Sequence, residues 1–114
     1  MVDDSYKLKS DILKKIADVI ESRKVGTAEN SYVASLFSKG RSKIAQKIGE
    51  EAVELSIAGV LDDKKGAISE SADLLFHMMV LWSDMDIKLQ DIYAELERRE
   101  GKSGIDEKKS RKDK

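Results

Sequence analysis

Five acidic residues in two short stretches are the residues of this sequence best suited to chemistry. The first stretch carries Glu50, Glu51 and Glu54, and the second carries Glu70 and Asp73. Residues three or four positions apart share a helix face, so the carboxylates of each stretch point to one side. Carboxylates that close repel one another unless cations neutralise them. The spacing therefore predicts an oxygen-ligand site for a hard divalent cation, Mg²⁺ or alternatively Mn²⁺.

Such a site implies a reaction class, because Mg²⁺ keeps several waters and accepts phosphate oxygens as further ligands. The chemistry indicated is metal-assisted attack of water on a phosphoanhydride. The alternative for an isolated EExxE pattern is a solvated helix face with Glu–Lys pairs. Glu70 and Asp73 favour the metal site, since they open a helix that is apolar from Leu74 to Trp82. We therefore expect both carboxylates to be partly buried, which is costly without partners.

Basic residues precede the first acidic stretch. Lys43 and Lys47 are one helical turn apart, and Lys47 is one turn before Glu51. These lysines are candidates for contacts with substrate phosphates, and simple Lys–Glu ion pairing is an equally good explanation. His77, four residues after Asp73, is expected to be a packed or hydrogen-bonded histidine and not a metal ligand.

Composition limits the other function classes. The chain has 114 residues, a net charge of -1, no cysteine and one histidine. These values exclude disulfides and thiolate or multi-histidine zinc sites, and no basic field indicates a nucleic-acid partner. The longest apolar stretch is too short to cross a bilayer, and the first ten residues lack a signal-peptide pattern. We expect a cytoplasmic protein with no membrane partner.

The elements that must position the carboxylates are all helical. Apolar residues recur at intervals of three and four, proline is absent, and no segment reads as a strand. We predict an all-α antiparallel bundle of four main helices and one short helix, with Ser42 as an N-cap. The short loop after Leu61 makes the two acid-bearing helices antiparallel neighbours. The predicted helices cover, in order, residues 7–24, 31–38 (the short one), 42–61, 65–84 and 89–100.

The domain organisation follows from a change of composition after residue 101. Residues 1–101 are predicted to form one helical domain. Residues 102–114 contain six basic and three acidic residues and are expected to form a flexible basic tail.

Four motifs together resemble the phosphoribosyl-ATP pyrophosphohydrolases of histidine biosynthesis, a branch of the MazG-like all-α nucleotide pyrophosphohydrolases. The acidic pattern alone marks the superfamily, whereas the Ser-Tyr segment and the Arg-Arg-Glu-Gly ending point to this branch. Val33 and Phe76 depart from it, because threonine and tyrosine are expected there. The motifs cover nearly the whole chain: Asn30–Leu36, Lys47–Glu54, Glu70–His77 and Glu95–Gly101 with Ser103 and Gly104.

The resemblance implies hydrolysis of phosphoribosyl-ATP to phosphoribosyl-AMP and pyrophosphate. It also implies a homodimer or higher homo-oligomer formed through the central helices. In the resulting hypothesis the metal ligands are Glu51, Glu54, Glu70 and Asp73. Glu50 is a further ligand or the base that orients water, which makes Glu50, Glu51 and Glu54 the catalytic set. The residues expected to contact the nucleotide substrate are Tyr32, Ser35, Lys39, Lys43, Lys47 and Arg98.

Two alternatives stay open from the sequence. A house-cleaning pyrophosphohydrolase of other nucleoside triphosphates would share the metal site. A non-enzymatic helical dimerisation module would leave the acidic face solvated, and it would show no dependence on Mg²⁺.

Overall fold

The computed structural model describes residues 12–25, 31–101 and 104–112. Six helices and no strand are found in these ranges, so the prediction of an all-α fold is confirmed. The predicted start of the first helix near residue 7 and the predicted stop at Gly26 lie outside the described residues. The helices are α1 (Ile12–Arg23), α2 (Tyr32–Lys39), α3 (Arg41–Val60), α4 (Lys64–Asp84), α5 (Leu89–Arg99) and α6 (Gly104–Lys112).

Helices α3 and α4 form an antiparallel hairpin with the most extensive packing in the fold. The turn between them is short, and Asp62 adopts a positive φ of 54° there. The Asp63 carboxylate caps α4 by accepting a hydrogen bond of 2.9 Å from the Gly66 backbone N–H. A tight, capped turn fixes the register of the two helices, so residues equally distant from it lie opposite each other.

Helices α1 and α2 pack against this hairpin and enclose the core. The Ser31 hydroxyl begins α2 by accepting a hydrogen bond of 3.2 Å from the Ala34 backbone N–H. α1 and α2 thereby bring apolar side chains against the first half of α3 and the second half of α4. The buried core residues are Ile20, Val33, Leu36, Ile44, Met79 and Val80.

Three boundaries differ from the sequence-based prediction. Ser42 is not an N-cap, because α3 already begins at Arg41 after Gly40, whose φ of 99° suits glycine. Helix α4 begins at Lys64, one residue before the predicted start. The expected basic tail contains helix α6, which follows Gly101 at a φ of 82°. The flexibility of the tail stays a prediction.

Helix α5 contributes no residue to the buried core, and neither α5 nor α6 packs extensively on the other helices. The apolar side chains of Tyr93, Leu96 and Ile105 are exposed along them. Of the helices described, none combines the length and the hydropathy that a membrane crossing requires.

Candidate active site

The α3–α4 hairpin brings carboxylates from both acidic stretches together. Glu54 and Glu70 lie eight residues on either side of Asp62, and Glu51 and Asp73 lie eleven residues on either side of it. One carboxylate oxygen each from Glu51, Glu70 and Asp73 lies within 4.8 Å of the other two. Glu54 lies beside Glu70 and influences its charge state. We call these four residues the carboxylate cluster.

Glu70 has the most perturbed electrostatics of the cluster. Contact with the Glu51 and Glu54 carboxylates, followed by burial, raises the pKa of Glu70 from 4.5 to about 7. Its Oε2 atom is buried and has no hydrogen-bond partner in the described part of the chain. A buried, unpartnered carboxylate oxygen is unfavourable in a finished protein interior, so this atom is suited to a ligand outside the chain.

Burial within the cluster differs from the sequence-based expectation. Glu51 is the most buried member, with 8% of its surface exposed, because it faces α4 from the middle of α3. Glu70 is partly buried, as expected. Asp73 is exposed, so the expectation of partial burial was wrong for this residue. The apolar residues that follow Asp73 belong to the next turns of α4, and the Asp73 carboxylate itself is open to solvent.

Glu50 lies on the exposed flank of α3, apart from the oxygens that converge. Gln46 donates a hydrogen bond of 2.8 Å to Glu50 Oε1, and Lys47 Nζ lies 3.6 Å from Oε2. The Gln46 hydrogen bond, aided by Lys47 and Lys43 and opposed by desolvation, lowers the pKa of Glu50. Glu50 is therefore ionised at neutral pH, whereas Glu70 titrates near it. Gln46 is not among the predicted site residues, although its position one turn before Glu50 was a signal for the contact.

Lys47 connects Glu50 with the cluster. Its ammonium group lies 3.6 Å from Glu50 and 3.9 Å from Glu51, so the predicted ion pairing is observed. Tyr32, followed by Glu50 and Glu51, raises the pKa of Lys47. Lys43 lies close enough to Glu50 to lower its pKa, and Lys39 is exposed at the end of α2. Lys47 and Lys43 therefore lie beside the acidic residues of α3.

The remaining predicted substrate residues are divided between two helices. Tyr32 reaches from α2 to α4, where its hydroxyl lies 2.9 Å from His77 Nε2. Ser35 is partly buried one turn further along α2. Arg98 lies on α5, which carries no member of the cluster, and it forms an ion pair with Glu95. The structure therefore places Tyr32 close to Lys47 and leaves Arg98 on a separate helix.

His77 and Val33 are both buried. With 5% of its surface exposed, His77 is hydrogen-bonded to the Asp73 backbone carbonyl and to Tyr32, which confirms the prediction of a hydrogen-bonded histidine. Val33, which departs from the family pattern, packs in the hydrophobic core and is not exposed beside the carboxylate cluster.

The donor set of the cluster fits a hard divalent cation. All candidate ligand atoms are carboxylate oxygens, three of them already converge, and one buried oxygen lacks a partner. No cation of the described residues is ion-paired with Glu70 or Asp73. Oxygen-only sites of this kind suit Mg²⁺ or Mn²⁺ better than softer metals.

Comparison with known proteins identifies the family of this chain. The sequence matches the phosphoribosyl-ATP pyrophosphohydrolase family over residues 13–100. It is 52% identical over 102 residues to the phosphoribosyl-ATP pyrophosphatase of Paramagnetospirillum magneticum, covering 90% of this chain and 94% of the relative. The enzyme of the same name from Azospirillum brasilense is 47% identical over 106 residues, covering 93% and 96%. The chain belongs to the phosphoribosyl-ATP pyrophosphohydrolase family.

Proposed function

We propose that the carboxylate cluster is the active site at which this chain hydrolyses phosphoribosyl-ATP to phosphoribosyl-AMP and pyrophosphate, a step of histidine biosynthesis. The observation that carries the proposal is the convergence of Glu51, Glu70 and Asp73 within 4.8 Å, with one buried oxygen of Glu70 unpartnered. Family membership supplies the substrate, because the relatives bear the name phosphoribosyl-ATP pyrophosphatase.

Glu51, Glu54, Glu70 and Asp73 would hold Mg²⁺, with Mn²⁺ as an alternative. When bound, the metal would offset the charge of the triphosphate and polarise the phosphorus that is attacked. The raised pKa of Glu70 supports this role, because Glu70 faces the carboxylates of Glu51 and Glu54, and the nearby Lys47 is ion-paired with Glu51 and not with Glu70.

Glu50 is suited to orienting the attacking water. Its carboxylate is exposed, ionised at neutral pH and held by Gln46 and Lys47, so it presents a fixed hydrogen-bond acceptor beside the cluster. Its lowered pKa makes it a weak base, which favours orientation of water over full proton abstraction. The water oxygen bonds to phosphorus, and the anhydride bond between the α- and β-phosphates breaks with its electron pair on the departing pyrophosphate. The proton lost by the water passes to pyrophosphate or to solvent.

Three lysines, on α2 and on the first half of α3, would stabilise the departing pyrophosphate. Lys47 carries its charge firmly, since Tyr32 and the neighbouring carboxylates raise its pKa. Lys43, one turn before Lys47 on α3, and Lys39, at the end of α2, would bind the outer phosphates. Tyr32 and Ser35 would contact the nucleoside. Arg98 would join them from α5 by contact with a phosphate.

The decisive assay measures pyrophosphate released from phosphoribosyl-ATP, with and without Mg²⁺, beside the same assay with ATP. We expect rapid release from phosphoribosyl-ATP only when the metal is present, and far slower release from ATP. Equal turnover of ATP and other nucleoside triphosphates would favour the house-cleaning activity. Activity that survives exhaustive chelation and is not increased by Mg²⁺ would overturn the metal site.

We also propose that the chain forms a homodimer through the α3–α4 hairpin. Val53, Ile57 and Val60 recur at intervals of four and three along α3 and are exposed, next to exposed Leu61 and Ile68. The surface around Ser56, Ile57, Val60 and Leu61 is concave and apolar. A contiguous apolar surface of this kind is uncommon on a monomer, and a second copy would cover it.

The dimer is tested by light scattering after gel filtration of two matched variants. Val53 and Val19 are valines in the middle of a helix with 59% and 50% of their surface exposed, on α3 and α1 respectively. We expect Val53→Asp to shift the molar mass towards that of a monomer and Val19→Asp to leave it unchanged. A monomeric unsubstituted protein, or equal masses for both variants, would contradict this interface.

A further inference from the structure

Tyr32, His77 and the backbone carbonyl of Asp73 form a chain of hydrogen bonds beside the carboxylate cluster. His77 Nδ1 lies 2.7 Å from the Asp73 carbonyl oxygen, and His77 Nε2 lies 2.9 Å from the Tyr32 hydroxyl. The carbonyl belongs to a proposed metal ligand, whereas the hydroxyl belongs to a proposed substrate contact. The histidine between them belongs to neither set.

The direction of these hydrogen bonds follows from the chemistry of the groups. A carbonyl oxygen only accepts, so the hydrogen of the neutral imidazole must be on Nδ1. His77 Nε2 is then an acceptor, and the Tyr32 hydroxyl must donate to it. The position of His77 one turn after Asp73 in α4 imposes this tautomer, because the contact with the carbonyl is within one helix.

Once its hydrogen is directed at His77, the Tyr32 oxygen can only accept hydrogen bonds from other groups. The ring is held on two sides, since it stacks on Phe76 with centroids 6.4 Å apart and meets the His77 ring edge-on at 6.0 Å. Tyr32 is nevertheless 54% exposed. The Tyr32 oxygen is therefore an oriented acceptor at a solvent-exposed position close to Lys47.

We propose that His77 is a positioning residue that holds the Tyr32 oxygen as an acceptor for a hydrogen-bond donor of the nucleotide, either a ribose hydroxyl or an amino or imino group of the base. The inference rests on the proposed function for placing the nucleotide beside the cluster. Its competitor is a purely structural histidine, which would stabilise α2 against α4 and leave substrate binding to other groups.

The kinetic test is a double-mutant cycle between the two side chains. His77→Asn retains a donor to the Asp73 carbonyl and loses the acceptor for Tyr32, whereas His77→Gln places an acceptor near the position of Nε2. Loss of one neutral hydrogen bond corresponds to a change of about two- to tenfold. We expect Tyr32→Phe and His77→Asn each to raise KM by about that factor with kcat little changed, as lost ground-state binding would.

The combined variant separates positioning from a structural role. If His77 acts through Tyr32, adding His77→Asn to Tyr32→Phe raises KM no further, and His77→Gln recovers most of the loss. Multiplying effects, or a His77→Gln variant as impaired as His77→Asn, would overturn the proposal. Repeating the cycle with a 2′-deoxyadenosine analogue of the substrate identifies the donor. A vanished Tyr32→Phe effect assigns the 2′-hydroxyl, and an unchanged effect assigns the base or the remaining hydroxyls.

A spectroscopic test does not depend on turnover. His77 is the single histidine of the chain, so long-range ¹H–¹⁵N spectra of the protein at pH 8, with any histidine tag removed, report its tautomer directly. We expect a protonated Nδ1 and an unprotonated Nε2, with Nε2 shifting in Tyr32→Phe. A protonated Nε2 would refute the positioning role. Lack of activity towards phosphoribosyl-ATP would instead refute the proposed function, while this measurement would still stand.

Discussion

Two acidic regions of α4 and its neighbours show opposite treatments of the same side-chain chemistry. In the carboxylate cluster, Glu70 faces the carboxylates of Glu51 and Glu54. At the other end of α4, every acidic side chain has a partner that offsets its charge. Arg41 Nε donates to Asp84 at 2.8 Å, and Lys24 donates to Asp86 at 3.0 Å.

The pKa values record the difference. Hydrogen bonds from Ser83 and from Lys24 lower the pKa of Glu21 and of Asp86, respectively. Neighbouring carboxylates raise the pKa of Glu70 to about 7. The paired acidic residues stabilise the fold of the chain alone, whereas the carboxylates of the cluster repel one another and would be stabilised by a cation from outside. This contrast supports the function proposed for the cluster more strongly than the number of its acidic residues does.

The largest expected effect is a loss of turnover when one carboxylate charge of the cluster is removed, compared with removal of one charge from the paired region. Glu54→Gln should lower turnover of phosphoribosyl-ATP by ~10²- to 10³-fold, because the cluster loses a charge required at the transition state. The helical circular dichroism signal should be unchanged. Asp86→Asn is the matched control and should leave turnover intact. Near-normal turnover of Glu54→Gln would mean that the cluster is not the active site.

A smaller loss is expected when a lysine is removed from each region. Lys47→Met should lower kcat/KM by about 10- to 100-fold, the range for losing a hydrogen bond to a charged group. Lys24→Met removes the ion pairs to Glu21 and Asp86 and should affect stability alone. If both variants lose activity equally, the proposed contact of Lys47 with phosphate is wrong.

Stability should depend on pH with opposite signs in the two regions. The raised pKa of Glu70 means that the folded protein holds an extra proton between about pH 4.5 and 7. The free energy of unfolding of the metal-free protein should therefore fall as pH rises through this window. The lowered pKa values of Glu21 and Asp86 act on the acid side, where stability falls as pH drops through them.

Chemical denaturation at a series of pH values, without metal, measures these slopes. Glu70→Gln should abolish the fall between pH 4.5 and 7 and leave the acid limb in place. Added Mg²⁺ should stabilise the unsubstituted protein more strongly as pH rises, because it binds the ionised cluster. A slope in the neutral window that persists in Glu70→Gln would assign it to another group.

The smallest expected effect is a loss of stability when an ion pair at the C-terminal end of α4 is broken. Arg41→Gln removes the contacts to the Asp84 carboxylate and backbone carbonyl. A partly exposed ion pair contributes little, so Tm should fall by about 1 to 5 °C. Turnover should be unaffected. Differential scanning calorimetry beside the pyrophosphate assay checks both, and a loss of turnover without a change in Tm would show that the two regions are coupled.

Much of the fold and of the candidate site was predictable because helices obey local rules. Apolar spacing placed α2 to α5 within a few residues, and the short loop implied the α3–α4 hairpin. Helix boundaries were less certain where backbone conformation decides, as at Gly40, which ends α2 and precedes Arg41 in place of a cap at Ser42. Helix α6 was missed because its composition is that of a solvated tail.

The spacing of residues was enough to predict which carboxylates share a helix face and which helices are neighbours, since both follow from a 3.6-residue period and a short turn. Packing of the helices against one another decided which oxygens converge. It placed Glu51, Glu70 and Asp73 together and joined Tyr32 to His77. Those outcomes depend on helix register and burial, which arise from packing between distant segments. The contacts of Glu50 with Gln46 and Lys47, in contrast, follow from spacings of four and three residues on one helix.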